Sequence, residues 1–246
     1  MRHLVLGFDF ETTGLNTDED RILEVGAVLW DWNEKKPVSI YSALVWEPGQ
    51  KISEPGAQDT HHIELDDLKK YAVTPQVALT NFVKMMDDAE AIMGHNALEF
   101  DSPLFRAEAA RISLDYPDIP VIDTKLDLPL DKKVHESIKL IFLAATHGFL
   151  NPFPHNAVSD TLTMCKIASE YDFDTVLQRS KSPAVTLYMD AKGKFDEAMN
   201  KLARAAGFRW HAKPVGLWMK TIKEIDIEKE MRVDFPVKRT DEGYEL

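Results

Sequence analysis

Apolar positions near the start of the chain fall into two runs that read as strands. Residues 3 to 9 form an apolar run ending on an acid, and residues 21 to 31 either alternate or stay apolar. Thr13-Gly14-Leu15-Asn16 supplies the turn between them. A third strand near Ser39 to Trp46 closes at Glu47-Pro48-Gly49, so the pattern predicts an opening antiparallel meander. Helical spacing then begins, with Thr74 as N-cap and Pro75 as first helical residue; Val77, Phe82, Val83 and Met86 recur at three- and four-residue steps up to Asp88. Next come a short buried strand over residues 91 to 94, a helix from Ser102 to Ile112 with Leu104, Phe105 and Ala109 inward, and a strand from Pro120 to Thr124. Residues 137 to 147 and 156 to 171 read as two more helices, the first stopped by Gly148 at its C′ position. This order predicts an α/β sheet whose functional groups gather at strand ends and adjoining loops.

Residues 178 to 183 are polar and end in Pro183, which predicts a linker. After it the pattern gives a strand from Val185 to Met189, a helix from Phe195 to Ala206 stopped by Gly207, and short strands at Phe208 to His211 and Leu217 to Thr221. The expected organisation is a main domain over residues 1–178, a small module over 184–223, and a weakly patterned arm over 224–246.

Composition narrows the class. Of 246 residues, 44% are hydrophobic and 28% charged, which fits a folded chain and not a disordered one. The single Cys165 excludes an internal disulfide and a thiolate zinc site, so any metal must sit on oxygen or imidazole. No stretch approaches the length of an apolar membrane span, and Leu4-Val5-Leu6 meets Asp9 and Glu11 too soon for a signal-peptide core, so a cytoplasmic protein with no membrane partner is expected. The net charge of -12 argues against nucleic acid as a partner until its distribution is considered. Residues 1 to 180 hold 16 basic and 30 acidic side chains, whereas 181 to 246 hold 13 and 11. In 181 to 223 there are nine basic and three acidic residues, and Phe208-Arg209-Trp210 and Leu217-Trp218-Met219-Lys220 interleave cations with aromatics. Such a module is suited to phosphate contact and base stacking.

The chemistry begins at Asp9-Phe10-Glu11, where period-two geometry turns both carboxylates to one face and Phe10 to the other. Paired hard oxygens suit Mg²⁺ or Mn²⁺. An isolated Asp-x-Glu triplet is common, but this one stands in Gly7-Phe8-Asp9-Phe10-Glu11-Thr12-Thr13-Gly14-Leu15, followed by Ile22-Leu23-Glu24-Val25-Gly26-Ala27-Val28. Further on come Gly94-His95-Asn96-Ala97-Leu98-Glu99-Phe100-Asp101, then Asp123-Thr124, then His155-Asn156-Ala157-Val158-Ser159-Asp160, with Thr60-His61-His62-Ile63 and Leu68 earlier. Together, in this order, these strings resemble the exonuclease motifs of the DnaQ-like, or DEDD, superfamily. The histidine five residues before the last aspartate marks the DEDDh branch.

The resemblance implies a ribonuclease H-like fold: a mixed sheet of about five strands, the second antiparallel to the rest, flanked by helices, with the small α+β module following. It implies two divalent metal ions, Mg²⁺ or Mn²⁺, held by Asp9, Glu11, Asp101 and Asp160, with Asp9 bridging and His155 as general base. Substrate contacts implied in the same way are Thr12, a Leu15 wedge, Asn96, Phe100 and His62; for Leu15 and Phe100 the alternative is core packing. Residue chemistry points the same way, since four converging carboxylates repel one another unless cations neutralise them, and imidazole ordinarily titrates near neutrality. The module is similar to the one that follows the nuclease domain in exonuclease X-type proteins of bacteria and phages. That favours DNA, single-stranded or at the 3′ ends of a duplex, as the substrate of a 3′-to-5′ exonuclease releasing 5′-mononucleotides in repair or nucleotide recycling. The alternatives are RNA, as for ribonuclease T and oligoribonuclease, and a proofreading-type subunit with a polymerase partner.

Overall fold

A computed structural model describes residues 2–130, 137–189, 196–211 and 217–239. The chain divides into two compact units, Met1–Ser180 and Lys181–Leu246.

The first unit opens with β1 (Leu4–Thr12), β2 (Ile22–Asp31) and β3 (Lys36–Leu44), paired as the expected meander. Helices α1 (Pro55–His61), α2 (Leu65–Tyr71) and α3 (Pro75–Met86) follow. Then come β4 (Ala91–Gly94), α4 (Asp101–Arg111), β5 (Val121–Asp123), α5 (Thr124–Asp127), α6 (Leu140–Thr146), α7 (Ala157–Ala168) and α8 (Phe173–Ser180). The sheet order is β3-β2-β1-β4-β5, with β4 parallel to β1 and to β5. This is the mixed, ribonuclease H-like sheet that the motifs imply.

Every residue of β2 is buried, because helices cover both faces of the sheet there. On one face, Phe82 of α3 meets the rings of Phe8, Phe10 and Phe105, with ring centroids 5.5, 5.7 and 5.1 Å away. On the other face α7 presses so close that a Cβ on Gly26 would lie 2.2 Å from the carbonyl carbon of Ala157. Only a residue without a side chain fits between strand and helix at that point.

Several expectations are corrected. In α3 the inward stripe is Pro75, Ala78, Leu79, Phe82 and Met86, and Val77 is exposed, because it lies about 100° around the helix from Ala78. Gln178–Ser180, expected in a linker, close α8, whose buried residues Phe173 and Val176 are too few to register as a period. Helices α1 and α2 have no apolar pattern that predicts them; their buried positions are His61 and Leu68 alone.

The second unit holds β6 (Ala184–Met189), α9 (Glu197–Ala205), β7 (Arg209–His211), β8 (Leu217–Lys223), a 3₁₀ turn (Glu224–Asp226), α10 (Ile227–Glu230) and β9 (Val237–Arg239). Its four strands form an antiparallel sheet in the order β7-β8-β6-β9. The residues expected as an arm therefore contribute a sheet strand, and Phe235 joins a core with Leu187, Met189, Phe208, Trp218 and Ile222. The expected helix start at Phe195 and the residues between the two expected short strands, 212–216, lie outside the described residues. No described helix is long and apolar enough to cross a membrane.

Candidate active site

β1 ends at the carboxyl edge of the sheet and carries Asp9 and Glu11 side by side on one face, while Phe10 turns into the core. The β1–β2 register sets Asp9 opposite Gly26 and Glu11 opposite Glu24. Two carboxylates facing each other across an antiparallel pair are destabilising without compensation. Glu24 finds part of it in α7: Asn156 Nδ2 and the Ala157 N–H donate to its two oxygens at 2.7 and 3.2 Å.

Asp101 is the first residue of α4 and is 4% exposed. Its approach is set by the turn from Asn96 to Phe100, in which Asn96 takes a positive φ of 75°. Asp123 at the end of β5 holds that turn, accepting from the N–H groups of Asn96 and Leu98 at 3.0 and 3.2 Å. Lys125 Nζ donates to Asn96 Oδ1. Asp160 lies in the first turn of α7, with Asn156 as N-cap accepting from the Ser159 N–H at 3.2 Å. Its carboxylate accepts from Asn151 Nδ2 and, at 2.9 Å, from the His155 N–H. His155 has a φ of 63°, and its side chain is exposed.

These segments converge. Ligand atoms of Glu11, His155 and Asp160 all lie within 4.8 Å of one another. Burial, followed by the charges of Asp101, Glu11, Asp160 and Glu24, holds the Asp9 carboxyl well above the usual carboxylate range. Burial and then Glu24, Asp160 and Asp101 push Glu11 up to about 8. Asp101 is raised to about 7, chiefly by burial, and burial also raises Asp160. Four acids whose carboxyls are all raised, Asp9 and Glu11 in part by their neighbours' charge, make a site suited to positive charge. Oxygen donors with one adjacent imidazole fit Mg²⁺ or Mn²⁺.

Around this centre, Thr12 is buried, and its hydroxyl donates to the Gly14 carbonyl at 2.7 Å. Leu15 is 83% exposed, which removes core packing as its role, whereas Phe100 is half-buried against the core cluster. The loop bearing Leu15 is tied down by Asp20, whose carboxylate accepts from Thr13 Oγ1 at 2.6 Å and from the Asn16 N–H at 2.8 Å. His62 is exposed in a left-handed conformation at the end of α1, while the neighbouring His61 is buried and near the Thr12 backbone.

Sequence patterning assigns no role to Glu24, Asn151 or Asp123, each of which the structure places in the site. A charged residue in the middle of an apolar run was the available signal for Glu24. Nothing local marks Asn151, whose partner lies beyond the next turn.

A sheet of this order, with two acids at the end of its first strand met by an acid from each of two helices and a histidine from the loop before the second, defines the DEDDh exonuclease class. Residues 6–168 match the model of the RNase T exonuclease family, and the chain belongs to it. It is 30% identical over 201 residues to a PolC-type DNA polymerase III of Staphylococcus haemolyticus, covering 80% of this chain and 13% of that protein. It is also 32% identical over 119 residues to the epsilon subunit of DNA polymerase III of Treponema pallidum, covering 48% of this chain and 51% of that protein. The chain thus spans about half or less of the length of these relatives. Among solved structures, Escherichia coli exonuclease I in complex with single-stranded DNA is similar in fold (TM-score 0.62, 14% identity, 78% of this chain and 49% of that one). So is the nuclease domain of 3′hExo bound to rAMP (TM-score 0.56, 17% identity, 69% and 91%).

Proposed function

We propose that this protein is a metal-dependent 3′-to-5′ exonuclease that hydrolyses DNA to 5′-mononucleotides. The observation that carries the reading is the convergence of Asp9, Glu11, Asp101 and Asp160, each with a raised pKa, beside His155. Asp9, Glu11, Asp101 and Asp160 would hold two divalent ions. When bound, these supply neutralisation of the phosphate charge and a clamp on the attacking and leaving oxygens.

The remaining chemistry belongs to the chain. His155 accepts the proton of the attacking water, a task that falls to the one imidazole in the group because the four carboxylates would be engaged with metal. Its backbone N–H bond to Asp160 keeps base and metal ligand in one rigid turn. Leu15, exposed on a loop anchored by Asp20, separates the terminal base from its neighbour, Thr12, Phe100 and His62 surround the terminal nucleotide, and Asn96 orders the turn that presents Asp101. DNA is favoured because the relatives at 30% and 32% identity are DNA polymerase III chains. The second unit supports strand binding: Arg204, Arg209 and Trp210 are exposed, Trp210 packs on Trp218 at 5.8 Å, and Arg204 lies over Trp218 at 5.5 Å.

The test is degradation of 5′-labelled single-stranded DNA, duplex DNA and RNA of matched sequence with Mg²⁺, beside EDTA and Asp9→Ala controls. A ladder shortening from the 3′ end of DNA, abolished by both controls, is expected. Shortening of RNA alone would replace the substrate with RNA, and no shortening with either Mg²⁺ or Mn²⁺ would overturn the activity.

A further inference from the structure

Among the described residues, the three most exposed large hydrophobic side chains are Leu15, Leu150 and Phe153, at 83%, 77% and 69%. All three lie on loops that adjoin site residues. Leu15 follows Asp9 and Glu11, whereas Leu150 and Phe153 precede His155 and Asp160.

The second loop is built to be rigid. Asn151, 8% exposed, donates to Asp160, and its Oδ1 accepts from Ser159 Oγ at 2.7 Å and from the Phe153 N–H at 3.2 Å. Phe153 stands between Pro152 and Pro154, each of which fixes its own φ and restricts the residue before it. An exposed phenyl ring is therefore presented from a preorganised backbone that Asn151 ties to a metal-ligating carboxylate. Core packing does not explain it, and water is a poor neighbour for it.

The charge of the first unit says what covers it. With 30 acidic against 16 basic residues in positions 1 to 180, that unit has little to offer a phosphate backbone beyond the metal site. Strand affinity there must come largely from contacts indifferent to charge, and nucleobase faces provide them. We propose that Phe153, flanked by Leu150, is a base-stacking platform that grips the single strand as it enters the catalytic centre. This inference rests on the exonuclease reading above.

The experiment measures kcat and KM of the full chain on a single-stranded oligonucleotide of the class it degrades, for wild type, Phe153→Ala, Phe153→Leu and Phe153→Trp. Expected for Phe153→Ala is a KM about tenfold higher with kcat within about twofold, as for loss of one base–aromatic stack. Phe153→Leu should lie between, and Phe153→Trp should restore the wild-type value. An abasic residue moved through the last few positions of the strand should raise the wild-type KM by a similar factor at one position, where Phe153→Ala shows no further loss. Equal KM values for Phe153→Ala and wild type, or a tryptophan variant as poor as alanine, would overturn the platform while leaving the nuclease reading intact. A wild type inactive on every strand is the separate failure of that reading.

Discussion

At the scale of single residues, the raised carboxyls of the site make stability depend on pH and, on the proposed reading, on cations. Without metal, the folded-state carboxyls of Glu11 and Asp101 titrate near 8 and 7, far above their unfolded values. The folded state then binds more protons than the unfolded one, so stability falls as pH rises from about 4.5 to about 8. If divalent ions occupy the same oxygens in the folded state, as proposed, their stabilisation must grow over the same window. Thermal denaturation in EDTA and in saturating Mg²⁺ checks this: a gain of about 5 to 10 °C at pH 8 and a much smaller one at pH 5.5 are expected. An equal gain at both values would mean that these acids do not share a cation. The same carboxylates were legible from sequence, because motif spacing marked Asp9, Glu11, Asp101 and Asp160. Glu24 and Asn151 were not, since their roles exist only across distances in sequence, from 24 to 156 and from 151 to 160.

At the scale of elements, the N-terminus of α7 joins the two halves of the site. Asn156 both caps the helix and donates to Glu24, which in turn faces Glu11. Asn156→Ala should cost about 1 kcal/mol for the cap, and more for the carboxylate that then lacks a donor. Asn156→Asp keeps a capping oxygen but sets a further carboxylate against Glu24, so it should not rescue. The signature is a fall in kcat that exceeds any rise in KM; a rise in KM alone would show that this junction serves binding instead. Long periodic elements such as β1, β2, α3 and α7 were readable because many positions share one face. Helices α1, α2 and α8 were not, because each buries only one or two side chains, and β9 is defined by its pairing with β6 and by no pattern of its own.

At the scale of the whole molecule, charge is divided between an acidic nuclease unit and a second unit with a small basic excess. If the second unit holds phosphates, reversing Arg204 and Arg209 to glutamate should make strand affinity less sensitive to salt. The slope of log affinity against log salt should fall by about 0.7 for each phosphate that is no longer neutralised. An unchanged slope would shift the weight of strand binding from these two cations to stacking on Trp210, which is exposed on β7.

The seat of α7 against Gly26 also bears on when activity begins. The site draws on residues near positions 9, 101 and 155–160, and the last of these reach the sheet only when α7 lies flush on β2. Docking of α7 on β2 brings Asp160 and His155 to Asp9 and Glu11 in one step, so on the proposed reading ligand set and base are completed together or not at all.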